Sequence, residues 1–354
     1  MNEQLTNAQI QESIQKGIFQ PHIYLTNLCL AFFQSAAGFI SRRLFPIVPV
    51  PLSTAKFYEF DKGDLTRLGV GRKPEFGHVA PTVFGKLDHS YDCKVDQVIT
   101  GIDRISAVNF QRTNAPGPID PRRGKARFVA EQMNLHLDVL WANKYFNPAS
   151  WTHVYEGTDT TPTGNQFWYF DNDNCDPVQL FYSLTVAMRM FGLRKPNKIG
   201  IGMNAHAKLK TNPAILERIK YQGSEANPAN VTENVLAQLF GVDEYVVAES
   251  VVNKAPMGKD NDLQFVCDPN SLLLCYTTNA PAIEEPSAGY TFAWDMLGNG
   301  QYIAMQQYQG NPASHTDFME GLLSTDHQIA APDLGVFLKN CVSPANRTIT
   351  LPGQ

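Results

Sequence analysis

The sequence predicts a mixed fold, α/β or α+β, with an elongated early part and a compact later part. Three observations carry that expectation. A helix of unusual length opens at Asp120-Pro121, a polar, glycine-punctuated stretch precedes it between two strand-like runs, and short strands alternate with short helices after it. The 354 residues correspond to about two structural units at about 150 residues each.

The first 45 residues mix a polar start with an apolar helical patch and run into Phe45-Pro46-Ile47-Val48-Pro49-Val50-Pro51. Prolines at alternate positions cannot continue a helix, so an extended connector is expected there. Ser53 to Phe60 suits one strand and Tyr91 to Ile102 another, with Cys93, Val95, Val98 and Ile99 as its apolar positions. Between them, Asp61 to Gly77 has too few apolar residues for a core of its own. This predicts a long projecting hairpin whose tip is mobile or partner-bound.

Asp120 offers an N-cap and Pro121 takes the first helical position, where a missing donor costs nothing. The helix should run to about Phe146, because Val129, Met133, Leu137, Leu140, Trp141 and Tyr145 recur at three- and four-residue steps and define one apolar stripe. Roughly 26 residues make a rod of about 39 Å, a spine for the whole subunit. Short strands follow around Phe167-Trp168-Tyr169-Phe170. Asp176-Pro177 then starts a second helix, over Leu180, Leu184, Ala187 and Phe191, which Gly192 and Pro196 stop. Strands are expected at 199–203, 245–251, 271–277, 290–294, 302–309 and 334–341, and helices at 213–221 and 232–240. Asn230 to Glu233 supplies caps and Gly241 a stop.

Charged residues make 18% of the chain, below the average of about 25%, while hydrophobic residues make 43%. A net charge of −5 argues against a protein that wraps nucleic acid, because neutralising phosphates takes a dense Lys/Arg surface. Contact with DNA through one local patch is compatible with it. No stretch reaches the roughly 18 to 20 uncharged apolar residues of a membrane span. Ile23 to Ile40 contains Asn27, Gln34 and Ser35, is closed by Arg42 and Arg43, and reads as a buried or interface helix. The six cysteines are scattered, without a C-x-x-C, and read as reduced core residues in a cytosolic setting.

P-loop, G-x-G-x-x-G, H-E-x-x-H and G-x-S-x-G motifs are all missing. Gly200-Ile-Gly202 lacks the third glycine. Asp171 to Asp176 has the composition of half a calcium loop, but Ala187 stands where that loop needs a glutamate, and capping explains these residues better. The eight histidines show no metal-ligand spacing, and Glu284-Glu285 reads as a solvated pair rather than two hydrolytic acids. No catalytic residue, cofactor or metal is expected, and the chain reads as a non-enzyme. Charge, in contrast, is segregated. Residues 51–130 hold thirteen Lys/Arg against nine Asp/Glu, and residues 281–335 hold seven Asp/Glu and no Lys/Arg. Opposite fields on one chain steer copies into head-to-tail contact, which closes into rings when the rotation permits.

The order of parts, an extended arm, a long hairpin, a long helix and a compact mixed region, resembles the major capsid proteins of tailed bacteriophages with the Hong Kong 97-like fold. Val231 to Gly241 followed by Tyr245 to Ala255 is similar to that family's helix-then-strand passage. Ala280 to Trp294 and Asp326 to Asn340 are similar to its closing strands. The resemblance implies an α+β capsid fold: an N-terminal arm (1–50), an extended loop, the E-loop (51–103), a peripheral domain with the spine helix (104–190), an axial domain (191–325) and a C-terminal return to the peripheral domain (326–354). It further implies pentamers and hexamers in an icosahedral head around double-stranded DNA, which the chain touches only weakly and non-specifically. The loop of one copy would lie over the spine of its neighbour. The interface candidates are then Lys56, Lys62, Arg67, Arg72 and Lys73 of the loop, Arg122, Arg123 and Arg127 of the spine, and Glu284 and Glu285 of the acidic region.

A separate scaffolding protein, a portal protein and a decoration protein are the further partners the family implies, with assembly in the host cytoplasm, residence in the virion and no membrane. Some members join a loop lysine to a neighbour's asparagine. Lys56, Lys62, Lys73, Lys86 and Asn340 are available here, although lysines on a hairpin are ordinarily solvated charges. The alternatives are an encapsulin-like nanocompartment shell and, from another class, a cytosolic hydrolase with an unrecognised site.

Overall fold

The structure, a computed structural model, describes residues 39–60, 66–73, 75–78, 86–105, 108, 121–220, 231–278, 286–295, 303–309 and 315–347. Within these, the side chains at 58–60, 86–88, 121–123, 220 and 303–309 are not part of the description. The apolar patch from Ile23 onward, save Phe39 and Ile40, and the expected cap Asp120 lie outside the described residues.

A short helix, α1 (Ser41–Leu44), leads into strand β1 (Ile47–Val50) through the proline-rich connector. Strands β2 (Thr54–Phe60) and β3 (Lys86–Asp92) pair antiparallel over seven residues, from Thr54 opposite Asp92 to Phe60 opposite Lys86. This is the stem of the expected hairpin. The predicted strand Tyr91 to Ile102 proves to be two strands meeting at Cys93. Tyr91 closes the hairpin against Ala55, whereas β4 (Lys94–Asp103) pairs with a distant strand, starting at Thr325. Cys93 makes the transition: its N–H donates to Ser53 at 2.9 Å, and its side chain is buried with Val50, Tyr91 and Phe292.

Helix α2 (Pro121–Tyr145) is the expected spine, 25 residues long. Val129, Met133, Leu137, Trp141 and Tyr145 are buried as the stripe predicts, and Leu140 is half-buried at its margin. Next come β5 (His153–Thr158), β6 (Gln166–Trp168) and α3 (Pro177–Phe191). The Asp176 carboxylate accepts from Val178 and Gln179 N–H to cap α3, and it holds Arg218 at 2.7 Å. Strand β7 (Lys198–Gly202) passes without a loop into α4 (Met203–Thr211), a helix the sequence did not announce, and α5 (Pro213–Lys220) follows. Helix α6 (Glu233–Phe240) is capped by Thr232, and Gly241 ends it at φ 69°, the left-handed conformation that suits glycine. The strand predicted at 245–251 is β8 (Glu244–Ala248); Val251 opens a separate ribbon of β9 (Val251–Asn253) and β10 (Leu263–Phe265). Strands β11 (Leu272–Cys275), β12 (Gly289–Trp294) and β13 (Ile303–Gln309) match their expected positions. The 14-residue β14 (Thr316–Ile329) was unforeseen, and β15 (Gly335–Lys339) is the last strand.

Two main sheets result. One has the order β1-β12-β14-β13, with β4 also on β14; the other has the order β6-β5-β15-β11-β7-β8. The segments 191–325 and 326–354 each feed both sheets, because β12, β13 and β14 join the first and β15 sits inside the second. The spine packs its N-terminal half on β4 and β14, where Met133 and Leu137 meet Leu323 and Val98. Gly321 lets it come that close: a Cβ there would stand 2.5 Å from Val129 Cγ1. The C-terminal half of the spine enters the large core of the six-stranded sheet and its helices, with Trp141 and Tyr145 stacked around Phe45.

Candidate functional site

Among the described residues, two features stand out, an exposed hairpin and a buried anchor. Among the described residues, no group of three His, Cys, Asp or Glu side chains is placed to hold a metal, and no helix is long and apolar enough to cross a membrane. A shallow pocket is lined by His206, Lys210, Val231, Thr232, Glu233 and Asn234. His206 Nδ1 lies 2.9 Å from the Tyr245 hydroxyl, and burial lowers the histidine to about 4. A ring held neutral by burial has no charge to offer a ligand.

The first surface is the hairpin. Its stem is closed by the Tyr91 ring stacked on Phe292 at 4.5 Å and by Phe57 against Phe292 at 5.3 Å. Seven paired residues at about 3.4 Å each carry it about 24 Å outward. Beyond the stem, residues 66–73 are exposed throughout. Leu68 and Val70 are 87% and 85% exposed, and Phe76 is wholly exposed with a φ of 60°. A bulky residue rarely takes that backbone conformation, and three large apolar side chains in water cost solvation that only a covering partner returns.

Of the interface candidates, Lys56 stands exposed on β2, Arg67, Arg72 and Lys73 are exposed beyond the stem, and Arg127 is exposed on the spine. Arg122 and Arg123 belong to the first turn of α2, with side chains outside the description, and Lys62, Glu284 and Glu285 lie outside the described residues altogether. Of the described loop cations, Arg67, Arg72 and Lys73 fall beyond the stem and Lys56 within it. Among the described residues, four acids of the late acidic region are engaged within the chain. Asp317 binds Arg104 at 2.6 Å, Asp326 accepts the Asp92 N–H at 2.8 Å, Glu320 is buried against Gln97, and Asp333 faces His153 at 3.5 Å. Those acids hold the subunit itself together.

The anchor went unnoticed in the sequence. Ile40, Leu44 and Phe45 are fully buried, and Asp138, in mid-spine, receives the N–H groups of Ile40 and Ser41 (3.3 and 2.9 Å) and the Ser250 hydroxyl (2.7 Å). At the other end, Lys198 Nζ donates to the Arg43 carbonyl at 2.6 Å and Thr277 to that of Leu44 at 2.9 Å. Glu244 links Arg43 and Lys198 at 2.9 and 3.2 Å. The chain that precedes Phe39 therefore leaves from a fixed point. The signal for this was a lone aspartate beside an apolar helical stripe, the place where a buried capping carboxylate would sit.

A projecting hairpin, a long spine laid over one sheet, a second mixed sheet with helices around it and an N-terminal segment locked under both make up the Hong Kong 97-like capsid fold, of the α+β class. No protein-family model matches the chain. In sequence it is similar to the major capsid protein of Burkholderia phage BcepMu, 24% identical over 229 residues that cover 64% of this chain and 68% of that one. In fold it is similar to a phage-related protein of Bordetella bronchiseptica RB50, with a TM-score of 0.64 and 19% identity over 90% of this chain and 97% of that one. It is also similar to the capsid of cyanophage P-SCSP1u, with a TM-score of 0.54 and 13% identity over 88% and 90%. The chain thus resembles the major capsid proteins of tailed phages in both sequence and fold.

Proposed function

We propose that this chain is the major capsid protein of a tailed phage, a structural shell subunit that assembles with itself. Copies join as pentamers and hexamers into an icosahedral head that encloses double-stranded DNA, and the acidic balance of the chain lets the genome leave again. In this reading residues 1–50 form the arm, 51–103 the extended loop, 104–190 with 326–354 the peripheral domain, and 191–325 the axial domain. Lys56, Lys62, Arg67, Arg72 and Lys73 of one copy, with the apolar end of its loop, lie over the spine of the next, near Arg122, Arg123 and Arg127, while Glu284 and Glu285 supply opposite charge. A scaffolding protein guides assembly in the host cytoplasm, and a portal occupies one vertex.

The observation that supports this reading most is the hairpin, which exposes Leu68, Val70 and Phe76 at its far end. Such a surface is stable in solution only when something covers it. Electron microscopy of the purified protein, alone and with the proteins encoded beside it, tests the proposal. Closed polyhedral shells are expected. Monomers and dimers under every condition overturn it, and shells filled with an enzyme instead of DNA assign the chain to the nanocompartment class.

A further inference from the structure

Strand β4 has an open edge. It pairs with β14 over ten residues, from Lys94 opposite Thr325 to Asp103 opposite Thr316, and with no other strand among the described residues. The Arg104 N–H continues that ladder, donating to the His315 carbonyl at 2.9 Å, so the even-numbered residues of β4 turn their backbone groups toward β14 and the odd-numbered ones turn theirs away. Cys93 shows the outward direction, since its N–H meets Ser53 of the hairpin instead of β14. Beyond that point the N–H groups of Val95, Gln97, Ile99 and Gly101 find no acceptor among the described residues.

Folded proteins ordinarily blunt such an edge. Strand β1, another edge of the same sheet, is blunted by Pro49, whereas β4 contains no proline. The side chains of β4 alternate: Val98 packs on Met133 and Leu137 of the spine, while Val95 (51% exposed), Gln97 and Ile99 (46%) face water on the other side of the sheet. From 94 to 104 the strand holds Lys94 and Arg104 against Asp96 and Asp103, so two copies of it meet without net repulsion.

We propose that β4 pairs antiparallel with β4 of a second copy across a two-fold axis at Ile99, which joins two sheets into one. Symmetry selects this occupant. Head-to-tail contacts close rings, but where two rings of an icosahedral shell abut, a two-fold axis lies between them and each copy must offer the other the same surface. An antiparallel strand pair has that symmetry itself, so one edge serves both copies. Strand β4 lies in the sheet under the spine, the part that the shell reading places at the periphery of a ring, and the inference rests on that reading. Outward backbone groups meet only when odd residues face odd ones. With Ile99 on the axis, Ile99 packs on its own counterpart, Gln97 faces Gly101 and Val95 faces Asp103; moving the axis to Val98 would set Ile99 against Gln97 and lose the apolar match. Lys94 then falls opposite Arg104, whose charge Asp317 already balances at 2.6 Å.

A residue on the axis meets itself, and cysteine reports it. Opposite Cα atoms of a hydrogen-bonded antiparallel pair stand about 5.5 Å apart, a distance that a disulfide spans. Ile99→Cys in the full-length chain, assembled and then mildly oxidised, should give a band at twice the mass of one chain on a gel without reductant. Gln97→Cys would lie about 13 Å from its counterpart and should give at least about tenfold less. Ile99→Lys sets like charges against each other on the axis and should leave rings that no longer join into shells, with thermal melting reporting that the subunit is folded. Shells from Ile99→Lys like those of the unaltered chain overturn the inference, and so does equal cross-linking of the two cysteine variants. Should Ile99→Lys lose its melting transition, the cysteine pair decides. Shells without the Ile99→Cys dimer overturn this inference alone, whereas an unaltered chain that forms neither rings nor shells overturns the shell reading and this inference with it.

Discussion

Trp141 is wholly buried in the spine's packing, 5.7 Å from the Phe45 ring, 5.8 Å from Tyr145 and 6.2 Å from Phe146. Trp141→Ala should lower unfolding stability by about 3 to 5 kcal/mol, the range for truncating a buried aromatic. Its indole N–H finds no acceptor, so Trp141→Phe loses volume without losing a hydrogen bond and should cost clearly less. Equal losses in denaturant melts would place the energy elsewhere. A second residue-scale effect is titration. Burial holds His327 at about 4, against an ordinary 6.5, with its Nδ1 against Thr291 at 3.1 Å. The unfolded chain takes up this proton as pH falls through 6.5, while the folded chain resists until about 4. The stability tied to the neutral ring is therefore complete above that window and lost across it, up to roughly 3 kcal/mol. His206 is lowered to about 4 for the same reason. His327→Gln should flatten part of the fall in melting temperature over that range, and His206→Gln with it should flatten more. An unchanged slope in the double variant removes both histidines from the account.

At the scale of elements, α1 is the piece whose stability is least local. Four residues make barely one turn, so the helix exists because Asp138 satisfies its first donors and Lys198 and Thr277 its last acceptors. Asp138→Ala strands those donors and the Ser250 hydroxyl in a dry site and should cost about 3 kcal/mol. Burial raises the Asp138 carboxyl above its usual value, so its contribution runs opposite to that of the histidines: full stability below the ordinary carboxylate value, then loss as pH rises through the raised one. Calorimetry of Asp138→Ala against pH should show that fall gone. Long, strongly patterned or explicitly capped elements were legible in the sequence: the spine by its stripe, α3 by Asp176-Pro177, α6 by Thr232 and Gly241. Strand β14 was not, because it is enclosed by β4 along one edge and by β13 and then β12 along the other, with buried Glu320, Ser324, Thr325 and His327 breaking any alternation. Helix α4 hid behind its mixed face, and the break at Cys93 depends on a hydrogen bond to Ser53 that local pattern does not encode. The loop cations were read correctly as exposed. The pairing of Asp317 with Arg104 was not legible, since ion pairs between residues some two hundred positions apart leave no local trace.

For the whole molecule the question is what joins one copy to another. Cys93, Cys175, Cys267, Cys275 and Cys341 are all free and buried, and burial pushes the thiols of Cys175 and Cys275 up to about 12, which keeps them unreactive. Asn340, the residue that an isopeptide bond to a loop lysine would need, donates its amide to Glu156 at 3.0 Å, and Glu156 binds Lys339 at 2.9 Å. Its side chain is thus engaged by its own chain at the end of β15. Lys56 is exposed on the hairpin stem. Among the described residues, what could join copies in the proposed shell is burial of apolar surface, pairing of strand edges and charge pairs at the rim, all reversible. Purified shells boiled in detergent and run without reductant should give a single band at the 39.4 kDa of one chain. A ladder at multiples of that mass would mean that assembly moves Asn340 away from Glu156 and into reach of a neighbouring copy's loop lysine.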